Sequence, residues 1–163
     1  MLNTIQGIYF PIHKDDLEYI GPQLPMYNFN AKIIGNENWQ NQKILQKDNI
    51  GPYLKDLSVI TNFNAPSLDT TGYSEEIIAS YYQGLNTAHL LTQLSLKSLS
   101  RKSMIQSLES VDLYSGTGFY YSPDPTNPHV NAAFQILEFN GNELIFQGVF
   151  YGDSLRLVPL QYP

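Results

Sequence analysis

The stretch Ile8–Trp39, IYFPIHKDDLEYIGPQLPMYNFNAKIIGNENW, decides the fold. Gln6-Gly7-Ile8-Tyr9-Phe10-Pro11-Ile12 is a short apolar run closed by a proline, which lacks the N–H that a sheet ladder needs; it reads as a buried strand. A short loop, Ile12-His13-Lys14, follows. Asp15 and Asp16 then place negative charge where the positive end of a helix dipole favours it. Leu17, Ile20 and Leu24 recur at i, i+3 and i+7, one face of a helix, and Gly21-Pro22 should kink or interrupt it. Lys32-Ile33-Ile34-Gly35 is a second strand. Ile5 to Gly35 is therefore a β-α-β unit, whose strands run parallel with a right-handed crossover.

Working outward, Trp39 to Asp48 fits a short helix carrying Ile44 and Leu45, broken at Gly51-Pro52. Leu57 to Phe63 alternates apolar and polar residues and is a third strand. Asn64 to Ser74, NAPSLDTTGYS, is a connector rich in Pro, Gly, Ser and Thr, the best candidate for a hinge. Ser74 then caps a long helix with Glu75 and Glu76 in its first turn. Its expected apolar stripe is Ile77, Tyr81, Leu85, Ala88 and Leu91, widened by Ile78, Tyr82 and Leu94. Ser100 caps a second helix bearing Met104, Ile105, Leu108 and Val111, and the two should form a helical hairpin. The remainder is β: Gly118–Tyr121, then Ala133–Phe139 and Glu143–Phe150 around Asn140-Gly141-Asn142, the strongest short hairpin signal. Leu155 to Leu160 adds a further short strand.

Composition narrows the function. Charged residues are 15% of the 163, against roughly 25% in an average soluble protein, and twelve are tyrosine. The net charge of −6 argues against nucleic acid or an anionic membrane as partner. The chain has no cysteine, which removes disulfides, thiolate zinc sites and cysteine nucleophiles. That suits a secreted or periplasmic chain and equally a cytosolic one. No run of 18 apolar residues occurs, the length a membrane-spanning helix needs, and Met1–Thr4 leads into a strand pattern without a visible signal peptide.

The succession of pieces resembles the C-terminal portion of the type I periplasmic-binding fold. That fold is used by branched-chain-amino-acid-type solute receptors of ABC transporters and by the envelope proteins known as penicillin-binding-protein activators. The resemblance rests on Ile8–Trp39, on YYQGLNTAHLL (Tyr81–Leu91) with SRKSMIQSLESV (Ser100–Val111), and on GTGFYYSPDPTNPHVNAAFQILEFNGNELI (Gly116–Ile145), taken in order. It implies an α/β fold: a Rossmann-like parallel sheet with flanking helices, closing with an antiparallel hairpin. It further implies that residues 1–66 are the latter part of lobe 2, that 67–112 are a helical pair packing on lobe 1, and that 113–163 return to lobe 2. No counterpart of the N-terminal lobe is present, which implies either a fragment of a longer protein or a reduced relative. A face left bare by that absence should drive self-association, by swapping the helical pair or the hairpin.

In an open α/β sheet, ligands bind at the carboxyl ends of parallel strands. Pro11-Ile12-His13 and Gly35-Asn36-Glu37-Asn38-Trp39 follow the two predicted strands, so both loops fall on one rim. The resemblance places Glu37 where amino-acid-binding members offer a carboxylate to the ligand ammonium, and His13 near their aromatic position. The expected ligand-binding set is Glu37, His13, Ile12, Pro11, Asn36 and Trp39. A plainer reading stays open, in which Asn36-Glu37-Asn38 is a solvated turn and Trp39 packs in the core. Catalysis finds little support. His13, His89 and His129 lack metal-ligand spacing, and the carboxylate pairs open helices. Ser115-Gly116-Thr117-Gly118 precedes a strand rather than the helix of a phosphate loop, and no GxSxG is present.

The expectation is thus a non-enzymatic, cofactor-free and metal-free protein. By the resemblance it is an extracytoplasmic or periplasmic solute receptor, free or lipid-anchored in its full-length form. Its ligand is a small polar solute such as an amino acid, and its partner an ABC permease. The alternative is a non-transport envelope protein that uses the same fold for protein contacts.

Overall fold

In the computed structural model, residues 6–27, 31–64, 72–95, 100–152 and 154–156 are described. The 65–71 part of the connector, and the 157–160 part of the last expected strand, lie outside the described residues. Chain contacts divide the protein into two units, Met1–Thr61 with Ile136–Gly148, and Asn62–Gln135 with Val149–Pro163.

The first unit is built on the β-α-β element. Strand β1 (Gly7–Phe10) pairs in parallel with β2 (Lys32–Gly35), in the register Ile8 to Ile33 and Phe10 to Gly35. β2 pairs in parallel with β3 (Ser58–Thr61). The crossover begins as a 3-10 turn at Lys14–Asp16, becomes helix α1 at Leu17–Ile20, and tightens to 3-10 again from Gly21 to Tyr27. The interruption falls at Gly21-Pro22, where proline cannot supply the N–H of a continuing α-helix. Leu17 and Leu24 are buried, and Ile20 packs against the same cluster.

β1 differs from the reading of a buried strand. It is an edge strand of the described sheet, and its residues alternate between exposed and half-buried, with Tyr9 56% exposed. After β2, the segment expected as one helix from Trp39 is a 3-10 turn, Glu37–Trp39, followed by a single helical turn α2 (Gln42–Leu45) capped by Asn41. Gly51-Pro52 opens a further 3-10 turn, Gly51–Tyr53, with proline at the start where its missing N–H costs nothing. The sheet is completed by β6 (Phe134–Phe139) and β7 (Leu144–Tyr151), whose Ile136–Phe139 and Leu144–Gly148 stretches belong to this unit. They turn at Asn140–Glu143, where the Asn140 side chain accepts from the Asn142 and Glu143 amides at 2.8 and 2.9 Å. Gly141, at φ +97°, takes the left-handed position that a side chain would resist. The core gathers Ile12, Leu17, Leu45, Leu57, Val59, Leu137 and Phe139 around Trp39.

The second unit holds helices α3 (Glu75–Ser95) and α4 (Arg101–Glu109) and the antiparallel hairpin β4 (Tyr114–Gly116) to β5 (Phe119–Tyr121). β8 (Ser154–Arg156) pairs antiparallel with the Val149–Tyr151 end of β7. Leu90, Leu94 and Tyr114 form its core with Leu108, Val111 and Phe119. Ser100 caps α4 as expected, its oxygen accepting from the Ser103 amide.

The face of α3 is a correction. Ile78, Asn86, Leu90 and Leu94 are buried, whereas Ile77, Tyr81 and Leu91 are 56%, 64% and 42% exposed. The helix is apolar on both sides, so hydrophobic periodicity could not choose between them. Asn86 decides the choice. It is 2% exposed; its amide donates to the Thr117 carbonyl at 2.9 Å and its oxygen accepts the Thr117 N–H at 3.0 Å. Both bonds hold the β4–β5 turn against the helix. Asn86→Ala strands both Thr117 groups and should cost about 2–3 kcal/mol in urea unfolding at unchanged m. The exposed neighbour Thr87→Ala should stay within about 0.5 kcal/mol. Equal losses for the two would contradict this role for Asn86.

Candidate functional site

The two loops at the carboxyl ends of β1 and β2 are locked together by side chains of the second loop. Asn36 reads the Ile12 peptide from both sides: its Nδ2 donates to the Ile12 carbonyl at 3.0 Å and its Oδ1 accepts the Ile12 N–H at 3.4 Å. Asn38 Nδ2 donates to the same Ile12 carbonyl at 2.7 Å. The indole N–H of Trp39 donates to the Phe10 carbonyl at 2.9 Å. One residue further on, Gln40 accepts a hydrogen bond from Thr61 at the end of β3, at 3.0 Å. The carboxyl ends of three parallel strands are thereby joined in one polar seam. These bonds satisfy backbone groups that the sheet ladder no longer serves where the strands part.

The sequence-predicted residues take distinct places. Trp39 is fully buried, lying against Gly35, and its one donor is used. A methyl group on Gly35 would collide with Cγ and Cδ1 of the indole. Ile12 is buried in the core. Asn36 is half-buried with its amide engaged. Pro11, His13 and Glu37 are exposed. His13 Nδ1 lies 3.3 Å from Asp15 Oδ2, both side chains being exposed. The structure thus brings both loops together and leaves one carboxylate and one imidazole on their outer side. Asn38 and Gln40 were not singled out from the sequence. Their roles depend on partners 26 and 21 residues away, and no local pattern marks them.

A separate open cavity of about 570 Å³ lies within the second unit and shares no residue with this rim; Val111, Asp112, Ser122, Pro123, Tyr151 and Arg156 are among its lining. Arg156 donates to the Tyr151 hydroxyl at 2.8 Å and lies 4.5 Å from that ring's centre. Asp124, also at its wall, is held below the usual carboxylate range by the Thr126 hydroxyl and by the Thr126 and Asn127 amides. Burial raises the Tyr114 and Tyr121 hydroxyls, with Glu109 adding to the effect on Tyr121. The depressed Asp124 stabilises its loop above the ordinary carboxylate pKa, and that contribution is lost as pH falls through the folded value. Among the described residues, no three His, Asp or Glu side chains cluster to hold a metal, and no helix is long and apolar enough to cross a membrane.

The fold, parallel strands with flanking helices, is one that solved structures share. The chain resembles a putative branched-chain amino acid ABC transporter from Rhodospirillum rubrum, with TM-score 0.57 and 15% identity over 87% of this chain and 44% of that one. It also resembles a branched chain amino acid ABC transporter from Thermus thermophilus with bound valine, with TM-score 0.52 and 12% identity over 92% of this chain and 47% of that one. The chain has part of the type I periplasmic-binding fold. It spans less than half the length of these structures. Neither a protein-family model nor a curated protein matches the sequence.

The Trp39–Gly35 contact generates the test of this local architecture. Trp39→Ala removes a fully buried ring and its hydrogen bond, and should cost about 3–5 kcal/mol by circular dichroism in denaturant. Gly35→Ala should cost about 1–3 kcal/mol through overpacking, read from the emission of the single tryptophan. A Gly35→Ala protein of parental stability would contradict the close approach.

Proposed function

We propose that this chain supplies the latter part of an extracytoplasmic solute-binding protein, and that its rim at β1 and β2 receives a small polar ligand such as an amino acid. One observation carries the reading: at the carboxyl ends of parallel strands, three amide and indole side chains fix two loops to each other, and Glu37 and His13 stand exposed on them. Loops held this rigidly lose little entropy on binding. In the proposed complex Glu37 accepts the ligand ammonium, and the His13 ring offers a flat face. Pro11, Ile12 and Asn36 shape the floor through the backbone, and Trp39 supports it from beneath. The type I fold and its amino-acid ABC transporter neighbours support the same class of ligand, with an ABC permease as the downstream partner and a periplasmic location, free or lipid-anchored.

A second reading is favoured by a different observation. Tyr9, Tyr19, Tyr53, Tyr73 and Tyr81 are each more than half exposed. Tyrosine is enriched at protein interfaces, so these rings suit a non-transport envelope protein that uses the fold for protein contacts.

Thermal shift against a panel of amino acids and other small polar solutes, then calorimetry, separates the two. Glu37→Gln should weaken the best ligand by about 1.5–3 kcal/mol, the scale of a charge-assisted hydrogen bond, and leave the melting midpoint unchanged. Parental affinity in Glu37→Gln, or no ligand in the panel, would favour the protein-contact reading.

A further inference from the structure

The turn between β6 and β7 is the one place in the chain where an asparagine is followed by glycine. Asn140, Gly141, Asn142 and Glu143 are all exposed. Asn140 Oδ1 accepts the Asn142 and Glu143 amides at 2.8 and 2.9 Å, while its Nδ2 donates to nothing among the described residues. The Gly141 N–H likewise donates to nothing among the described residues. Nothing lies within 4 Å of where a Gly141 side chain would start, so that nitrogen is unscreened. A carbonyl polarised by two donors, an amide nitrogen free to leave and a bare backbone nitrogen beside them are the parts of an intramolecular acyl transfer.

We propose that Asn140 is a site of self-modification, at which the folded turn promotes loss of the side-chain amide through a succinimide. The Gly141 nitrogen gives its proton to water or hydroxide as it bonds to Asn140 Cγ. Negative charge develops on Oδ1, where the Asn142 and Glu143 amides already point. The Cγ–Nδ2 bond then breaks, and Nδ2 takes a proton from water and leaves as ammonia. Water opens the ring at either carbonyl. Attack at Cγ gives aspartate, and attack at the backbone carbonyl gives isoaspartate, in which the main chain runs through Cβ and Cγ.

The other well-placed asparagines lack one part or another. Asn36, Asn86 and Asn131 each have Nδ2 held by a backbone carbonyl, and Asn127 is followed by Pro128, which has no N–H to lose. The modification has a structural consequence, because α2 grips the same turn. Gln42 and Gln46 donate to the Asn142 carbonyl at 2.6 and 3.1 Å. Aspartate keeps an oxygen for both amides of the turn. Isoaspartate adds a carbon to the main chain inside it, and so pulls it out of register with α2. None of the rim residues takes part, so the proposal stands or falls apart from the solute-binding reading.

The test incubates the 163-residue chain at mildly alkaline pH beside a peptide of residues 138–144, and follows each asparagine by mass spectrometry after digestion. Labelling by an isoaspartyl methyltransferase identifies the iso product. Asn140 should turn from amide to acid at least about tenfold faster than any other asparagine, a barrier lower by about 1.4 kcal/mol or more. It should also react several-fold faster than in the peptide, where the two amides are not held in place, and should yield isoaspartate. The isoaspartyl form, separated by ion exchange, should melt below the parent, and Asn140→Asp should melt with it. A faster reaction at another asparagine, a folded chain no faster than the peptide, aspartate as the only product, or an isoaspartyl form of parental stability would each overturn the proposal.

Discussion

The contact between Trp39 and Gly35 carries the first unit. A strand that ends in glycine leaves room for an indole to fold back over its own backbone, and the ring joins the buried core. The same ring donates its N–H to the Phe10 carbonyl of the neighbouring strand. A buried indole without that partner would be costly, and an edge strand without that anchor would end in unpaired backbone groups. One residue thus settles both a packing problem and a hydrogen-bonding problem. Asn36 and Asn38, in the loop that leads to Trp39, donate to the Ile12 carbonyl two residues after Phe10.

The β-α-β unit was legible because each of its steps has a local cause. Pro11 ends a ladder, Asp15 and Asp16 favour a helix start, Gly21-Pro22 interrupts the helix, and Ile33-Ile34-Gly35 makes a strand. Asn140-Gly141 was legible for the same reason, since the asparagine side chain and the glycine backbone build the turn on their own. What escaped depends on distant partners. The buried face of α3 is set by Asn86, a polar residue that hydropathy assigns to solvent and that the Thr117 peptide draws inward. Strand β4 was hidden because Tyr114-Ser115-Gly116 is too short for periodicity to register, and its neighbour Ser115–Gly118 has the look of a glycine-rich loop.

At the rim, the rule that parallel strands expose their carboxyl ends together placed the two loops on one side, and the structure joins them by hydrogen bonds. The rule did not separate structural from exposed residues within them. That separation is chemical. Asn36, Asn38 and Trp39 spend their donors on backbone carbonyls, which makes the loops rigid, while Glu37 and His13 stand on the outer side, open to solvent or ligand.

The most direct test of the rim as the ligand face is an amide NMR titration of the 15N-labelled chain with the amino acids of the panel. The account predicts saturable shifts concentrated at Ile12, His13, Glu37 and Asn38, with the amides of α3 and of the β4–β5 hairpin unmoved. Shifts centred on the cavity around Tyr151 and Arg156, or no saturable shift with any ligand, would contradict it.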